Sequence, residues 1–481
     1  MTIIIAWTSL AQEYRATLSG TVNDPSGAPV PGATVKATNT ANHQVSETKT
    51  AAAGLFTIPL LEPGVYTVEA VAPGFQTVRQ EGVVLAVSQR VNIPLVLPLG
   101  QSSTEVTVRA NQEVLDTTSS DRGLVFDPTK TQELPLNGRQ SYMLLTLTPG
   151  VIFTQEQFGA SGFSGTRGWD VNNSYKFNGA RAGNGNNAFL LNGSIVSNEG
   201  STWLFAPSVE AIAEFKAVTT VFDAQYGHEA GGVVNTIIKA GTNEWHGDVY
   251  DYFRNRVLDA NSFQNNFSGL GKGRHNQNQF GGIVGGPIRK DKDFIFASYE
   301  GWQEVVPFPA SGTTVPADLR NGTGFSNHGM TVYDPLTTHL CGGAGEPCSS
   351  SQYWRTPFPG NVIPANRISP IATKILGYLP PENGAGSGAG GITGNFVASR
   401  NEGRYWYNQP IVRYDRVIGE NDRFNFMYSH FHGYEFRSTT GFAKPVATGN
   451  VDNERTFTGI NISETHVLSP TMVLDLRGNI A

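Results

Sequence analysis

The sequence predicts a mostly β protein: an N-terminal β-sandwich, a central α+β domain and a run of long antiparallel strands. Three observations indicate this class. Glycine is abundant, at 55 of 481 residues, and charged residues make up only 15%, against about 25% in typical globular proteins. Short Val- and Thr-rich runs alternate with Pro-Gly turns over the first hundred residues, as in sandwiches. Strict alternation of apolar and polar residues recurs towards the C-terminus.

Charge and hydropathy narrow the function classes. There are 34 basic and 40 acidic residues, for a formal net charge of −6, so no basic excess exists to neutralise phosphates, and nucleic acid is not a predicted partner. No apolar run is long enough for a transmembrane helix. The alternating strands of a membrane barrel would escape such a search, because each contributes only about ten residues.

The first 13 residues are predicted to be the remnant of a signal peptide. At the end of the short apolar stretch TIIIAWTSL (Thr2–Leu10), Ser9-Leu10-Ala11 fits the small-x-small pattern of a cleavage site. No basic region stands before it, as a complete signal peptide would have. The alternative is a first β-strand.

Residues 14–98 are predicted to form an antiparallel β-sandwich. About seven short strand candidates lie 8–12 residues apart and are separated by turns such as Pro31-Gly32 and Pro63-Gly64, a spacing typical of sandwiches. The alternation places one face of each strand inward. The residues predicted to lie inward include Leu18, Val35, Phe56, Tyr66 and Val68.

Two stretches of this region resemble the carboxypeptidase regulatory-like domain. They are GTVNDPSGAPVPGATVKAT (Gly20–Thr38) and GLFTIPLLEPGVYTVEAVAPGF (Gly54–Phe75). The resemblance implies a transthyretin-like, carbohydrate-binding-like sandwich fold. It implies neither peptidase chemistry nor demonstrated sugar binding.

Residues 99–122 are predicted to be a linker that contains one short extended segment. This segment is Glu105, Val106, Thr107, Val108, Arg109 and Ala110. It resembles the TonB box of outer-membrane receptors, which implies a TonB-type periplasmic energy-coupling partner. Such a partner adds a strand through main-chain hydrogen bonds, so a loose sequence suffices. The alternative is an ordinary linker strand.

Residues 123–243 resemble the plug domain of a TonB-dependent outer-membrane receptor of the Oar-like type. The resemblance is carried by LPLNGRQSYMLLTLTPGV (Leu134–Val151), NSYKFNGARAGNGNNAFLLNGSIV (Asn173–Val196) and the segment from Val209 to Gly247. It implies a bacterial outer-membrane location, with the N-terminal domain in the periplasm. It also implies import of a bulky nutrient ligand, for which carbohydrate, siderophore and peptide are candidates.

Within this domain the sequence predicts two helices and one strand. Ser141–Leu147 is expected to be helical, and Val209–Phe215 is predicted as a short helix with Ile212 and Phe215 on one face. Val233–Lys239 is predicted as a strand, because it is rich in β-branched residues and follows several glycines.

Residues 244–481 are predicted to be part of an antiparallel outer-membrane β-barrel with long loops. Along Met472–Ile480 one face carries mainly apolar residues, while the other carries Asp475 and Arg477; Asp422–Phe431 alternates similarly. Such a strand suits a position between lipid and a wet lumen. A half-buried strand of a soluble sandwich has the same period and is the alternative.

The two cysteines, Cys341 and Cys348, are separated by six residues and are predicted to form a disulfide in an oxidising compartment. The alternative is two reduced thiols. A zinc site is not predicted, because no second ligand pair accompanies them. No HExxH, Walker or GxSxG motif occurs. We therefore predict no catalytic residues, metal or cofactor.

The barrel is expected to be incomplete, because seven or eight strands enclose an interior that side chains alone fill. An open, curved sheet beside the plug is therefore predicted. Three functions stay open: an energised receptor-transporter, an adhesin or polysaccharide-binding outer-membrane protein without active transport, and a soluble polysaccharide-binding fragment. No ligand-binding residues are predicted.

Overall fold

The computed structural model describes most of the chain, and the fold below refers to those residues. They are 13–100, 105–109, 122–153, 175–180, 187–196, 206–220, 226, 231–261, 263–267, 269, 271–307, 310–342, 346, 348, 352–398, 402–419, 421–438, 442, 450–469 and 472–480. The proposed signal remnant, apart from Glu13, lies outside them, as does most of the linker.

The N-terminal domain is a sandwich of two sheets. Its strands are β1 (Ala16–Asn23), β2 (Thr34–Asn39), β3 (Val45–Lys49), β4 (Leu55–Leu61), β5 (Gly64–Val71), β6 (Thr77–Leu85) and β7 (Arg90–Val96). One sheet has the order β4-β1-β7, and the other runs β3-β2-β5-β6 and ends on β8 (Glu105–Arg109). The prediction of about seven short strands in this region is therefore confirmed.

The residues predicted to face inward are buried, which confirms the predicted inward face. The prediction that all strands pair antiparallel is wrong for one pair. The inward residues Leu18, Val35, Phe56, Tyr66 and Val68 are all at most 3% exposed. Strand β1, however, pairs with β7 in parallel. Gly20 permits this close pairing, because a Cβ atom there would lie 1.9 Å from the carbonyl oxygen of Ile93.

The middle domain is a mixed five-stranded sheet in the order β13-β12-β15-β14-β9. Its strands are β9 (Arg122–Phe126), β10 (Val151–Phe153), β11 (Tyr175–Phe177), β12 (Asn187–Leu191), β13 (Ser194–Ile195), β14 (Ile212–Thr220) and β15 (Gly232–Ile238). Strands β10 and β11 form a separate pair. Among its described residues it also has helix α1 (Pro128–Glu133) and 3-10 helices at Asn137–Arg139, Ser141–Leu147 and Val209–Ala211.

One predicted helix of this domain is wrong. Only Val209–Ala211 is helical, as a single 3-10 turn, and Ile212 begins strand β14. Strand β14 lies between β15 and β9, where both of its edges are hydrogen-bonded. These sheet contacts outweigh the weak helical periodicity of so short a segment. The helical stretch Ser141–Leu147 is confirmed as a 3-10 helix.

The C-terminal region is a seven-stranded antiparallel sheet among the described residues. Its strands are β16 (His246–Asn255), β17 (Asn276–Arg289), β18 (Asp293–Pro307), β23 (Glu402–Ile418), β24 (Asp422–Ser438), β25 (Asn450–Ser469) and β26 (Met472–Ile480). Neighbours in sequence are neighbours in the sheet, so β16 and β26 form its two edges. The predicted open sheet beside the middle domain is confirmed.

The two faces of this sheet differ. Along β26, Met472, Leu474 and Leu476 are 43–56% exposed on the outer face, whereas Asp475 and Arg477 are half-buried on the inner face. Further along the sheet the inner face is not uniformly polar. Met427 and Phe431 of β24 are buried there, in a cluster with residues of the middle domain.

Between β18 and β23 lies a long loop region with short elements of its own. They are β19 (Ala310–Gly312), β20 (His339–Leu340), β21 (Tyr353–Trp354), β22 (Phe396–Ala398) and helix α3 (Pro370–Tyr378); helix α2 (Phe263–Phe267) lies between β16 and β17. Six 3-10 helices lie among the described residues of the long loop: Ala317–Leu319, Phe325–His328, Pro335–Thr337, Pro359–Asn361, Ala365–Arg367 and Ala389–Gly391. No helix in the described ranges is both long and apolar enough to cross a membrane.

Candidate functional site

The TonB-box-like segment lies on the edge of the sandwich. Glu105–Arg109 forms β8, which pairs in parallel with β6 over five residues, from Thr77 with Glu105 to Glu81 with Arg109. Because β8 is the last strand in its sheet among the described residues, its second side is a strand edge able to accept another strand. Ala110 lies outside the described residues.

The middle domain covers the inner face of the long-stranded sheet. Leu191, Val196 and Ile238 pack against Trp302 and Tyr407 in one buried cluster. This packing accounts for the apolar residues on the inner face of β24, because a face covered by another domain is not in contact with water.

Two polar contacts border this packed interface. Arg139 forms an ion pair with Glu210 inside the middle domain, and its guanidinium lies 3.9 Å from the ring centroid of Tyr252 on β16. Such a cation–π contact stabilises an interface when it is partly desolvated.

A fully hydrogen-bonded carboxylate lies on the inner face of the sheet. Glu300 is 2% exposed, and its two oxygens accept hydrogen bonds from Tyr250, Gln279, Tyr407 and Gln409 at 2.9–3.0 Å. Four donors around one buried carboxylate leave it no free lone pair for a substrate. This cluster is therefore structural rather than catalytic.

The sandwich is joined to the last two strands by a network of ion pairs. Arg15 binds Glu13 through two N–H groups at 2.9 Å and lies 2.8 Å from Asp475 on β26. Arg477 donates to Glu13 at 2.6 Å, and Arg15 also donates to Thr465 at 2.7 Å. The side chain of Arg15 is only 6% exposed, and such partly buried, bidentate pairs are the strong ones.

The ionisation of Glu13 reflects this network. Burial by itself would raise the pKa of the Glu13 carboxyl group. The hydrogen bonds and charges of Arg15 and Arg477 outweigh burial and lower the pKa to about 2. Glu13 is therefore a carboxylate throughout the physiological range.

A second contact connects the sandwich to β23. Arg413 is 2% exposed and donates to Asp415 at 2.9 Å, to the carbonyl oxygen of Ile238 at 2.8 Å and to Glu62 of the sandwich at 3.4 Å. Tyr14 donates to the other oxygen of Glu62 at 2.6 Å. One buried guanidinium thus contacts all three domains.

The sandwich also contacts the middle domain directly. The N–H of Val87 donates to the carboxyl group of Glu214 on β14, and Lys216 donates to the carbonyl oxygen of Ser88 at 3.2 Å. Burial raises the pKa of Glu214 to about 7, even though the Val87 N–H opposes this. An apolar cluster closes the same contact: Tyr14, Val87 and Ile237.

The sequence did not single out these junction residues. Glu13 was assigned to the signal remnant, and Arg15, Glu62, Glu214 and Arg413 carried no motif. The alternation of β26 did place Asp475 and Arg477 on the inner face, which was the available signal. Partners as distant in sequence as Glu13 and Arg477 become visible only in the folded chain.

The cysteines lie in the long loop region. Cys341 and Cys348 are joined by a disulfide with Cα atoms 6.0 Å apart, and Glu346 lies beside them. Sulfur atoms in a disulfide are not thiolates and so are not metal ligands.

An antiparallel sheet of long strands, with exposed apolar residues on the outer face of β26 and a domain packed on the inner face of the sheet, is typical of a membrane β-barrel. Comparison with known protein families agrees. The family described as outer membrane beta barrel domain matches residues 237–481, and the carboxypeptidase regulatory-like domain matches residues 17–98. The chain therefore belongs to the outer membrane beta barrel domain family.

Individual relatives are similar over parts of the chain. The TonB-dependent transporter Oar of Myxococcus xanthus is 32% identical over 96 residues, which are 19% of this chain and 9% of that protein. The match with the outer membrane transporter YddB from Escherichia coli covers 74% of this chain and 38% of the YddB chain, with a TM-score of 0.46 and 11% identity. The match with the siderophore receptor PirA from Acinetobacter baumannii covers 74% of this chain and 47% of the PirA chain, with a TM-score of 0.32 and 16% identity. The chain thus spans less than half the length of these relatives.

These matches confirm the resemblance to Oar-like receptors and the bacterial outer-membrane location, with the N-terminal domain in the periplasm. The sheet end that contacts the sandwich is accordingly the periplasmic end, and the long loops lie at the opposite end. The relatives named here are transporters and receptors rather than enzymes.

Proposed function

We propose that this chain acts in an outer-membrane receptor that imports a bulky nutrient, driven by a TonB-type periplasmic protein that binds Glu105–Ala110. The observation that carries the proposal is the position of β8. It follows the sandwich in the chain, precedes the plug, and exposes one strand edge on the periplasmic side. A partner strand adding to that edge would transmit force to the plug through the linker.

For the ligand, we propose only a chemical class. The named relatives include a siderophore receptor, and the sandwich is of the carbohydrate-binding-like type. Siderophores and oligosaccharides are therefore the first ligands to test. An outer-membrane adhesin without active transport is the second candidate, favoured by the large loop region between β18 and β23 with its disulfide.

An uptake assay separates the two functions. V106P/V108P in the full chain removes two main-chain N–H groups from the segment, and deletion of Glu105–Ala110 removes it entirely. We expect both changes to abolish uptake of a labelled ligand while leaving cell-surface binding intact. The matched control V106I/V108I keeps both N–H groups and should transport normally. Unchanged uptake in the proline variant and the deletion would mean that Glu105–Ala110 is an ordinary linker strand. Surface binding without uptake in the wild type would favour the adhesin.

A further inference from the structure

A cavity of about 440 Å³ lies where the sandwich, the plug and the barrel sheet meet. Its walls come from the turns at residues 39–44 and 60–63 of the sandwich, the segment 237–242 at the end of the plug, and the periplasmic ends of the inner face of the sheet. Its size falls within the range of about 300–1,000 Å³ that is usual for small-molecule sites.

The cavity wall carries more positive than negative charge. Of the described residues that line it, five are arginine or lysine and two are acidic. Three of the cations are neutralised by ion pairs. These pairs join Arg413 to Glu62 and Asp415, Arg15 to Asp475, and Arg416 to Asp293.

The other two cations are Lys239, at the end of the plug, and Arg423, on β24. In the part of the chain that the structure describes, neither forms an ion pair with a carboxylate. Arg423 donates instead to neutral acceptors of the sandwich, the carbonyl oxygen of Val45 at 3.0 Å and the hydroxyl of Ser46 at 2.7 Å. Burial lowers the pKa of Lys239, against the opposing charges of Glu210 and Asp248.

Both cations are therefore partly desolvated, and among the described residues neither has a carboxylate within ion-pair distance, a situation that a bound carboxylate would relieve. The rest of the wall suits a hydroxylated molecule. Asn39, Gln44 and Asn425 offer amide groups, while Phe294 and Phe296 offer apolar ring surface. A cavity that combines hydrogen-bonding groups with ring faces can hold the polar edges and the C–H face of a sugar ring.

We propose that this cavity is a binding site for a hydroxylated organic carboxylate, such as an acidic sugar, whose carboxylate is held by Lys239 and Arg423. The site lies at the periplasmic end of the barrel sheet, away from the long loops. It does not depend on energised import, because binding at this site can be measured without a TonB-type partner.

The test uses the full chain in detergent micelles and digalacturonate as the probe. Isothermal titration calorimetry should detect binding to the wild type, weakened by added salt, and much weaker binding of the neutral disaccharide digalactose. K239Q and R423Q should each weaken digalacturonate binding about tenfold or more, because each removes one charge-assisted hydrogen bond. The control R289Q removes a cation that pairs with Asp293 in a turn and does not line the cavity, so its affinity should equal that of the wild type.

The conservative variant R423K keeps the positive charge and should recover most of the affinity. If R423Q fails to fold, as judged by its electrophoretic shift on heating, K239Q and R423K decide the question. The proposal is overturned if digalacturonate does not bind the wild type at millimolar concentration. It is equally overturned if digalactose binds as tightly, or if K239Q leaves the affinity unchanged.

Discussion

Glu214 lies at the contact between the sandwich and the plug, and its ionisation is coupled to the stability of that contact. Burial raises its pKa to about 7 in the folded protein, whereas a glutamate in an unfolded chain has a pKa of about 4.3. Between these two values the folded state binds more protons than the unfolded state. The contribution of Glu214 to stability is therefore complete below about pH 4.3 and is lost as pH rises towards 7.

We predict that E214Q removes this dependence. The amide keeps an oxygen that can accept the Val87 N–H but carries no ionisable proton. Thermal unfolding of the full chain in detergent, followed by circular dichroism between pH 4.5 and 8, should show that the free energy of unfolding falls more steeply with pH in the wild type than in E214Q. The difference between the two slopes should be at most about 1.4 kcal/mol per pH unit, and equal slopes would contradict the assignment.

Glu13 provides an internal control because its shift has the opposite sign. Its folded pKa is lowered to about 2, so its contribution to stability is complete above about pH 4.3 and is lost only as pH falls towards 2. E214Q should leave this loss of stability at low pH unchanged. The two carboxyl groups thus act in separate pH windows.

The sequence gives the least information about contacts between individual side chains of different domains. Burial of Leu18 or Phe56 follows from strand alternation, which is a local property of the chain. The pair between Glu13 and Arg477 requires that the first residues of the sandwich and the last strand of the sheet meet. No local pattern encodes the relative positions of two domains.

At the scale of elements, most strands were predictable because turn residues and alternation act locally. Strand β26 has the bounds expected, Met472–Ile480. The segment from Val209 to Phe215 shows where this reasoning fails. Its apolar spacing fits a short helix, but it lies between two strands whose hydrogen bonds it completes. Such pairing depends on residues far away in sequence, including Phe126 of β9.

The two faces of β26 lead to a prediction about membrane insertion. Leu476 is 56% exposed on the outer, apolar face, whereas Val473 is half-buried on the inner face. L476R would place a charge towards lipid near the periplasmic end of the strand, where the cost is below the about 2–4 kcal/mol of the bilayer midplane. We expect L476R to reduce the folded fraction in outer-membrane preparations, measured by the electrophoretic shift on heating, while V473R has a smaller effect. A larger loss in V473R would mean that the outer face is not in contact with lipid.

At the scale of the whole molecule, the sandwich is held by both neighbouring domains. It contacts β26 through Arg15, β23 through Glu62, and the plug through Val87. The sequence predicted the three domains but not this docking, because each domain was inferred from its own turns and alternation. If the chain imports a ligand as proposed above, a domain in contact with both the plug and the periplasmic end of the sheet lies beside the route by which that ligand would leave.

Transport of a bulky ligand should therefore require the sandwich to move. The turn between β2 and β3 lies against the segment that joins the plug to the barrel: the N–H of Asn243 donates to the carbonyl oxygen of Ala41 at 2.9 Å, and the Asn243 side chain donates to Asp291 at 2.6 Å. Backbones this close are candidates for a disulfide, which needs Cα atoms about 4.4–6.8 Å apart.

We predict that the variant A41C/N243C, once oxidised, loses most of its ligand uptake and regains it when reduced. The single variants A41C and N243C should transport normally, and wild type treated with reductant controls for loss of the native Cys341–Cys348 bond. If mass spectrometry shows the new disulfide formed and uptake is unchanged, the ligand leaves without displacement of the sandwich at this contact.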